Sequence, residues 1–160
     1  MALISKIFVA LKWVFRQTDV SIYDKNPTKN KEMKLQINKT IEVQIRASCK
    51  WNSTQVEISE GEEYEFIATG KWTDFTITRD ADGYTNSYMQ LFDKKKRAKQ
   101  YLWFALISSL DKNEDKYYLI GKNSNISFNE NGTLYCFAND VKGFYWNNFG
   151  HLTLQVKRIK

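Results

Sequence analysis

Along most of the chain, hydrophobic and polar residues alternate one by one. The alternation is clearest in five stretches, whose apolar positions are Ile41, Val43, Ile45 and Ala47; Val56 and Ile58; Tyr64, Phe66 and Ala68; Leu134, Cys136 and Ala138; and Leu152, Leu154 and Val156. A period of two is typical of β-strands that lay one face on a core. Turn-forming residues separate the stretches, and no helical pattern lies between them. The pattern predicts an all-β, antiparallel β-sandwich over residues 35–160.

One stretch, Trp103–Leu110, is apolar almost without interruption. Such a run is typical of a strand buried on both faces, and a short buried helix gives the same pattern. Its length of about eight residues favours the strand.

The first residues follow a different period. Leu3, Ile7, Leu11 and Val14 recur at helical spacing, which predicts an amphipathic helix over residues 1–17. The longest apolar run there, Ile7–Leu11, is far shorter than the roughly 20 residues of a membrane span. It is also too short for the core of a clear cleavable signal peptide. The helix is therefore expected to dock on protein or to lie on a membrane surface. Residues 18–34 are polar and form a connector.

Composition adds few constraints. A chain of 160 residues fits one domain, and 15% aromatic residues with little glycine or proline predict a folded chain. The net charge of +6 comes largely from scattered lysines, so it predicts a solvated surface. The basic run 94–99 is expected to be an exposed loop, and nucleic-acid binding is not predicted. Cys49 and Cys136 are expected to be buried free thiols, with a disulfide left open.

The residues that catalysis needs are scarce. His151 is the only histidine, and the local sequence places no nucleophile beside it. Three Cys and His residues in all are a poor supply for zinc, and no Gly-rich phosphate loop is present. We therefore expect a protein that is not an enzyme.

The strongest local signal is the segment 139–150, NDVKGFYWNNFG, which lies between two predicted strands. It carries the carboxylate of Asp140 and the amides of Asn139, Asn147 and Asn148, all hard oxygen donors of the kind that Ca²⁺ takes. Adjacent asparagines in a strand would point to opposite faces, so a shared ion requires the loop to leave strand geometry there. The alternative is an ordinary Asn-rich turn.

This segment and the strand after it, NDVKGFYWNNFGHLTLQV, resemble the calcium loop and final strand of the PA-I galactophilic lectin family. Upstream, Val56–Glu62 and Tyr64–Trp72 are similar to the family's "strand, Gly-turn, strand, small-x-Gly-x-Trp" pattern. The resemblance covers roughly residues 51–156. It implies a jelly-roll-like sandwich of the galactose-binding-domain-like class, a bacterial origin, and calcium-dependent binding of carbohydrate.

By that resemblance, Ca²⁺ is held by the side chains of Asp140, Asn147 and Asn148 and by the main-chain carbonyls of Phe144 and Phe75. Sugar hydroxyls would complete the coordination at Asp140, Asn147 and Asn148. Tyr145 and Trp146 would lie at the rim and stack on a sugar ring, or pack under the loop. One carboxylate among neutral ligands implies weak-to-moderate affinity for the ion. The family's histidine-bearing sugar loop has no counterpart in residues 80–99, so a preference for galactose does not carry over.

Three hypotheses follow, and the third is a hydrolase accessory or catalytic domain, since one sequence leaves a carboxylate pair for glycoside hydrolysis open. The first is a calcium-dependent, lectin-like, carbohydrate-binding module. The alternative is a non-enzymatic structural or interaction protein on the same sandwich, anchored to a membrane or protein partner through residues 1–17. The sequence leaves open the sugar, the compartment and whether the chain forms a homo-oligomer.

Overall fold

A computed structural model describes residues 32–85 and 90–160 of the chain. The predicted helix 1–17 and the connector up to residue 31 lie outside the described residues, so both stay predictions. Within the described part, we find no apolar helix of membrane-spanning length. The described ranges contain nine strands, in chain order: β1 (Thr40–Arg46), β2 (Asn52–Ile58), β3 (Glu63–Asp74), β4 (Ile77–Arg79), β5 (Leu106–Leu110), β6 (Tyr118–Leu119), β7 (Asn123–Ser127), β8 (Gly132–Ala138) and β9 (Asn148–Arg158).

The strands form two antiparallel sheets, which confirms the predicted all-β class. The first sheet has the order β1-β9-β3-β4, and β7 pairs with the free part of the β3 edge. The second sheet has the order β2-β8-β5-β6. The longest ladder joins β3 to β9, from Tyr64 opposite Arg158 to Asp74 opposite Asn148. This ladder places the end of β3 beside the start of β9.

The core lies between the sheets and is built from the alternating positions that the sequence identified. Ile45, Ala47, Val56 and the inward residues of β3, β8 and β9 are all buried. Trp72 is fully buried, its ring centroid lies 5.5 Å from that of Phe104, and its indole N–H donates to the Phe104 carbonyl at 3.1 Å. Burial of this kind stabilises a fold by roughly 25 cal/mol per Å² of apolar surface.

The second sheet is also covered on its outer face. All five residues of β5 are buried, as expected for a strand buried on both faces, and so is Phe137 of β8. Half-buried Trp51, Tyr101 and Tyr117 pack against Phe137 and its buried neighbours Ala98, Ala105 and Ile107.

The basic run 94–99 is the clearest departure from the sequence prediction. Lys94, Lys95 and Lys99 are exposed as expected, but Lys96 and Arg97 are buried. Burial of a charged group is costly unless it is paired or hydrogen-bonded. Lys96 meets this condition because its ammonium donates to the Tyr101 carbonyl at 2.8 Å and lies 3.3 Å from an Asp93 carboxylate oxygen.

The two cysteines are free thiols. Cys136 is buried, as expected, and burial raises the pKa of its thiol. Cys49 is only half-buried and lies in the turn after β1 rather than in a strand.

Candidate functional site

The predicted calcium loop, residues 139–147, joins β8 to β9 at the end of the sandwich where β3 finishes. Asn139, at its start, is fully buried and fastens the loop to a neighbouring segment. Its side-chain amide donates to the carbonyls of Ala98 and Leu102, each at 2.9 Å, and its side-chain oxygen accepts from the Ala98 N–H at 3.0 Å. Asn139 is therefore an organiser of the loop, and its side-chain oxygen is already occupied.

Asp140 is buried and directed into the loop. One carboxylate oxygen accepts from the Val141 N–H at 2.6 Å, and the other accepts from the side-chain amide of Asn148 at 2.9 Å. The structure thus brings together two of the residues that the sequence predicted as ligands, although they are eight positions apart.

The loop leaves strand geometry at the asparagine pair, as a shared ion requires. Asn147 is the last residue of a 3-10 turn over Tyr145–Asn147, and Asn148 opens β9 with extended backbone angles. The side-chain oxygens of Asn147 and Asn148 are both buried, and neither accepts a hydrogen bond from any described residue. Buried polar atoms are nearly always satisfied, so these two oxygens are candidates to accept a contact from a bound cation or a water molecule.

The main-chain positions predicted as ligands also meet at this loop. The Phe75 N–H donates to the Asn147 carbonyl at 3.2 Å, which sets the residue after β3 beside the loop. The Phe144 carbonyl accepts from the Asn147 N–H at 3.2 Å, so it also faces the asparagine pair. Phe75 has a positive φ of 52°, an unusual conformation for a residue with a side chain.

Sequence reasoning missed Asp74. It is the last residue of β3, it lies directly opposite Asn148, and it is buried. One of its carboxylate oxygens accepts from the hydroxyl of buried Tyr84 at 2.6 Å. The signal was present in the alternation, because Asp74 shares the inward face with Phe66 and Trp72.

The two carboxylates, Asp74 and Asp140, lie in surroundings that raise the pKa of each. Burial raises the pKa of Asp140 to about 6, and the charge of Asp74 adds to that rise, while the Asn148 amide opposes it. Burial also raises the pKa of Asp74, against the hydrogen bond from Tyr84. Among the described residues, no lysine, arginine or histidine forms an ion pair with either group.

The oxygen donors present fit a hard cation such as Ca²⁺, which binds carboxylates, amide oxygens and main-chain carbonyls. No group of three or more His, Cys, Asp or Glu side chains suited to a metal occurs in residues 32–85 and 90–160. A cation at this loop would therefore depend on the asparagines and carbonyls as well as on Asp74 and Asp140.

Tyr145 and Trp146 differ in their exposure to solvent. Tyr145 is buried under the loop, where its hydroxyl donates to the Ala138 carbonyl at 2.8 Å, so it does not lie at the rim. Trp146 is 37% exposed and lies near Phe144, with ring centroids 6.5 Å apart. Phe75 and Phe149 are also exposed. Aromatic side chains therefore line the rim of the candidate site. Of the two residues predicted for the rim, Trp146 lies there and Tyr145 does not.

Comparison with known proteins supports the fold. No family model and no curated protein matches the chain. The solved structure of a domain described as "EclA N-terminal domain; PllA-like lectin" matches with a TM-score of 0.55 and 20% identity, over 73% of this chain and 94% of that one. The chain is thus similar to that domain in fold, and the likeness shows the sandwich fold but not membership of the PA-I family.

Proposed function

We propose that the protein is a carbohydrate-binding module whose sugar is held through a Ca²⁺ ion at the 139–147 loop. The observation that carries this proposal is a pair of buried amide oxygens, those of Asn147 and Asn148, which accept no hydrogen bond from the described residues and lie beside the buried carboxylates of Asp74 and Asp140. The proposal agrees with the lectin description of the structural neighbour.

In this proposal, Asp140, Asn147 and Asn148 bind the ion through side chains, and Phe144 and Phe75 bind it through carbonyls. The ion supplies open coordination positions that two sugar hydroxyls can fill. Asp74 adds a second negative charge to the site, and a higher ligand charge strengthens calcium binding. Trp146, with its exposed ring, offers an apolar surface on which one face of a sugar ring can stack.

The first test is thermal unfolding in calcium and in EGTA. A ligand that binds only the folded state stabilises it by about 2.7 kcal/mol at 100 times its Kd. We expect this calcium-dependent gain for the wild type and none for Asp140→Asn, which keeps the shape of the side chain but removes its charge. Glu65→Gln, which changes a surface carboxylate on β3, is the matched control and should keep the full response.

A glycan array then tests the sugar. Binding that appears in calcium and disappears in EGTA, and that Asp140→Asn abolishes, would support the proposal. No stabilisation of the wild type at millimolar calcium would contradict it, and would direct attention to residues 1–17 and their partner.

A further inference from the structure

The segment 96–98 runs alongside the start of the candidate calcium loop. Lys96 forms an isolated antiparallel bridge with Val141, and the Arg97 N–H donates to the Asp140 carbonyl at 3.1 Å. Ala98 is held on both its N–H and its carbonyl by the side chain of Asn139. The buried half of the basic run thus adds a short strand-like clamp to the residues around Asp140.

The side chain of Arg97 is the anchor of this clamp. Its guanidinium carbon lies 3.6 Å from the ring centroid of Phe137 and 4.1 Å from that of Trp51, so it occupies an aromatic slot on the outer face of the second sheet. One terminal nitrogen, Nη1, donates to the Lys50 carbonyl at 2.7 Å and to the Tyr145 hydroxyl at 2.8 Å.

Arg97 therefore holds the loop at two points. Its backbone fixes Asp140, and its side chain fixes Tyr145, whose hydroxyl donates onward to the Ala138 carbonyl. Tyr145 stands between the predicted ligands Phe144 and Asn147. The aromatic slot is thereby connected to Asp140, the first predicted ligand of the loop, and to the turn that carries Phe144 and Asn147.

The arrangement is costly for the fold alone. Arg97 is buried, and its Nε and Nη2 have no hydrogen-bond acceptor among the described residues. Among the described residues, its one ion-pair partner is Glu114, which lies 3.9 Å away and is shared with Lys50 and Lys142. A buried charge with incomplete partners adds little stability, whereas its contacts to Asp140 and Tyr145 are well formed.

We infer that Arg97 is a positioning residue, which orders the 139–147 loop and so sets its affinity for calcium. This inference rests on the proposed function. Residues that orient metal ligands typically change metal affinity by about 10- to 100-fold when they are removed.

The test compares Arg97→Met, which keeps an apolar stem and loses every side-chain donor, with Tyr145→Phe, which loses only the hydroxyl. Calcium affinity is measured by isothermal titration at a temperature where each variant is folded. We expect Arg97→Met to weaken the Kd for calcium by about 10- to 100-fold, and Tyr145→Phe to weaken it by less. Arg97→Lys, which keeps the charge without the planar fork, should recover only part of the loss.

Glu62→Gln is the control for a merely structural effect, because it removes a buried charge before β3, at the opposite end from the loop. It should lower the unfolding temperature and leave the calcium Kd unchanged. A lower unfolding temperature of Arg97→Met with an unchanged Kd would overturn the inference. If Arg97→Met does not fold, an unchanged Kd in Tyr145→Phe would overturn it.

Amide hydrogen exchange in EGTA separates this inference from the proposed function. Arg97→Met should speed exchange in residues 140–148 and leave β1 and β7 unchanged. If the wild type binds no calcium, the proposed function and the link to affinity both fail, and faster exchange of the loop would still support the positioning role. Unchanged exchange would remove that role as well.

Discussion

The two ends of the sandwich bury carboxylates in opposite ways. At the end where β3 begins, Glu62 accepts hydrogen bonds from the Ser59 N–H and the Tyr64 hydroxyl, each at 2.8 Å. It also pairs with Lys34 at 3.3 Å and Arg158 at 3.0 Å. At the end where β3 finishes, the buried carboxylates have no ion pair with any described residue.

The pKa values follow these surroundings. Burial favours a higher pKa for Glu62, but the hydrogen bonds from Ser59 and Tyr64 and the cations around it lower the pKa below the ordinary value. The pKa of Asp74 and that of Asp140 are raised by burial, which no cation of the described part of the chain offsets. The fold tolerates a buried charge that has a full set of partners, whereas a buried charge without them destabilises the folded state. The contrast supports a cation at the second end.

The largest effect that we expect on the fold comes from Glu62→Gln. The substitution removes the charge that Lys34 and Arg158 face, and hydrogen bonds to charged groups contribute about 1.5–3 kcal/mol. Chemical denaturation should show a loss of unfolding free energy in this range. The gain in stability on adding calcium should be the same as in the wild type, and a smaller gain would contradict the separation of the two ends.

A smaller effect is expected from Asp74→Asn. The asparagine keeps an oxygen for the Tyr84 hydroxyl but removes one of the two negative charges of the site. Calorimetric titration should give a calcium Kd about tenfold weaker, since ligand charge tunes affinity and tenfold corresponds to about 1.4 kcal/mol.

In EGTA, the same variant should be no less stable than the wild type, because it removes a buried and unpaired charge. Tyr84→Phe is the matched variant, which leaves the charge and removes only the hydrogen bond. An unchanged calcium Kd in Asp74→Asn would show that Asp74 is part of the core and does not contribute to calcium binding.

The sequence was sufficient to predict those features of the fold and of the candidate site that depend on residues close together in the chain. Alternation located β1, β2, β3, β8 and β9, because successive side chains of a strand point to opposite faces. The Asp140 and Asn147–Asn148 pattern located the loop between β8 and β9. In the structure, the side-chain oxygens of Asn147 and Asn148 are buried there and accept no hydrogen bond from the described residues. Asp74 could have been found in the same way, because the inward positions of β3 continue to it.

The role of Arg97 could not be predicted, because its surroundings are assembled from distant parts of the chain. Trp51 and Phe137, whose rings enclose the guanidinium, lie more than forty residues before it and forty residues after it in sequence. A run of basic residues ordinarily indicates a solvated loop. The aromatic slot reverses that expectation for Arg97, since the rings, the Lys50 carbonyl and the Tyr145 hydroxyl replace part of its hydration.

The smallest and most specific test concerns pH. Because the pKa of Glu62 is lowered in the folded state, its contribution to stability is present above its ordinary value of 4.5 and is lost as the pH falls through the lower, folded value. The difference in unfolding free energy between the wild type and Glu62→Gln should therefore be constant near pH 7 and shrink below about pH 4.5, by at most about 1.4 kcal/mol per pH unit for one proton. Denaturant titrations of both proteins in EGTA, from pH 7 to pH 3, measure this difference. The contributions of all other carboxylates cancel when the two unfolding free energies are subtracted, because the two proteins share them. A difference that stays constant to pH 3 would show that the charge of Glu62 is not what stabilises its end of the sandwich, and the contrast between the two ends would lose its electrostatic basis.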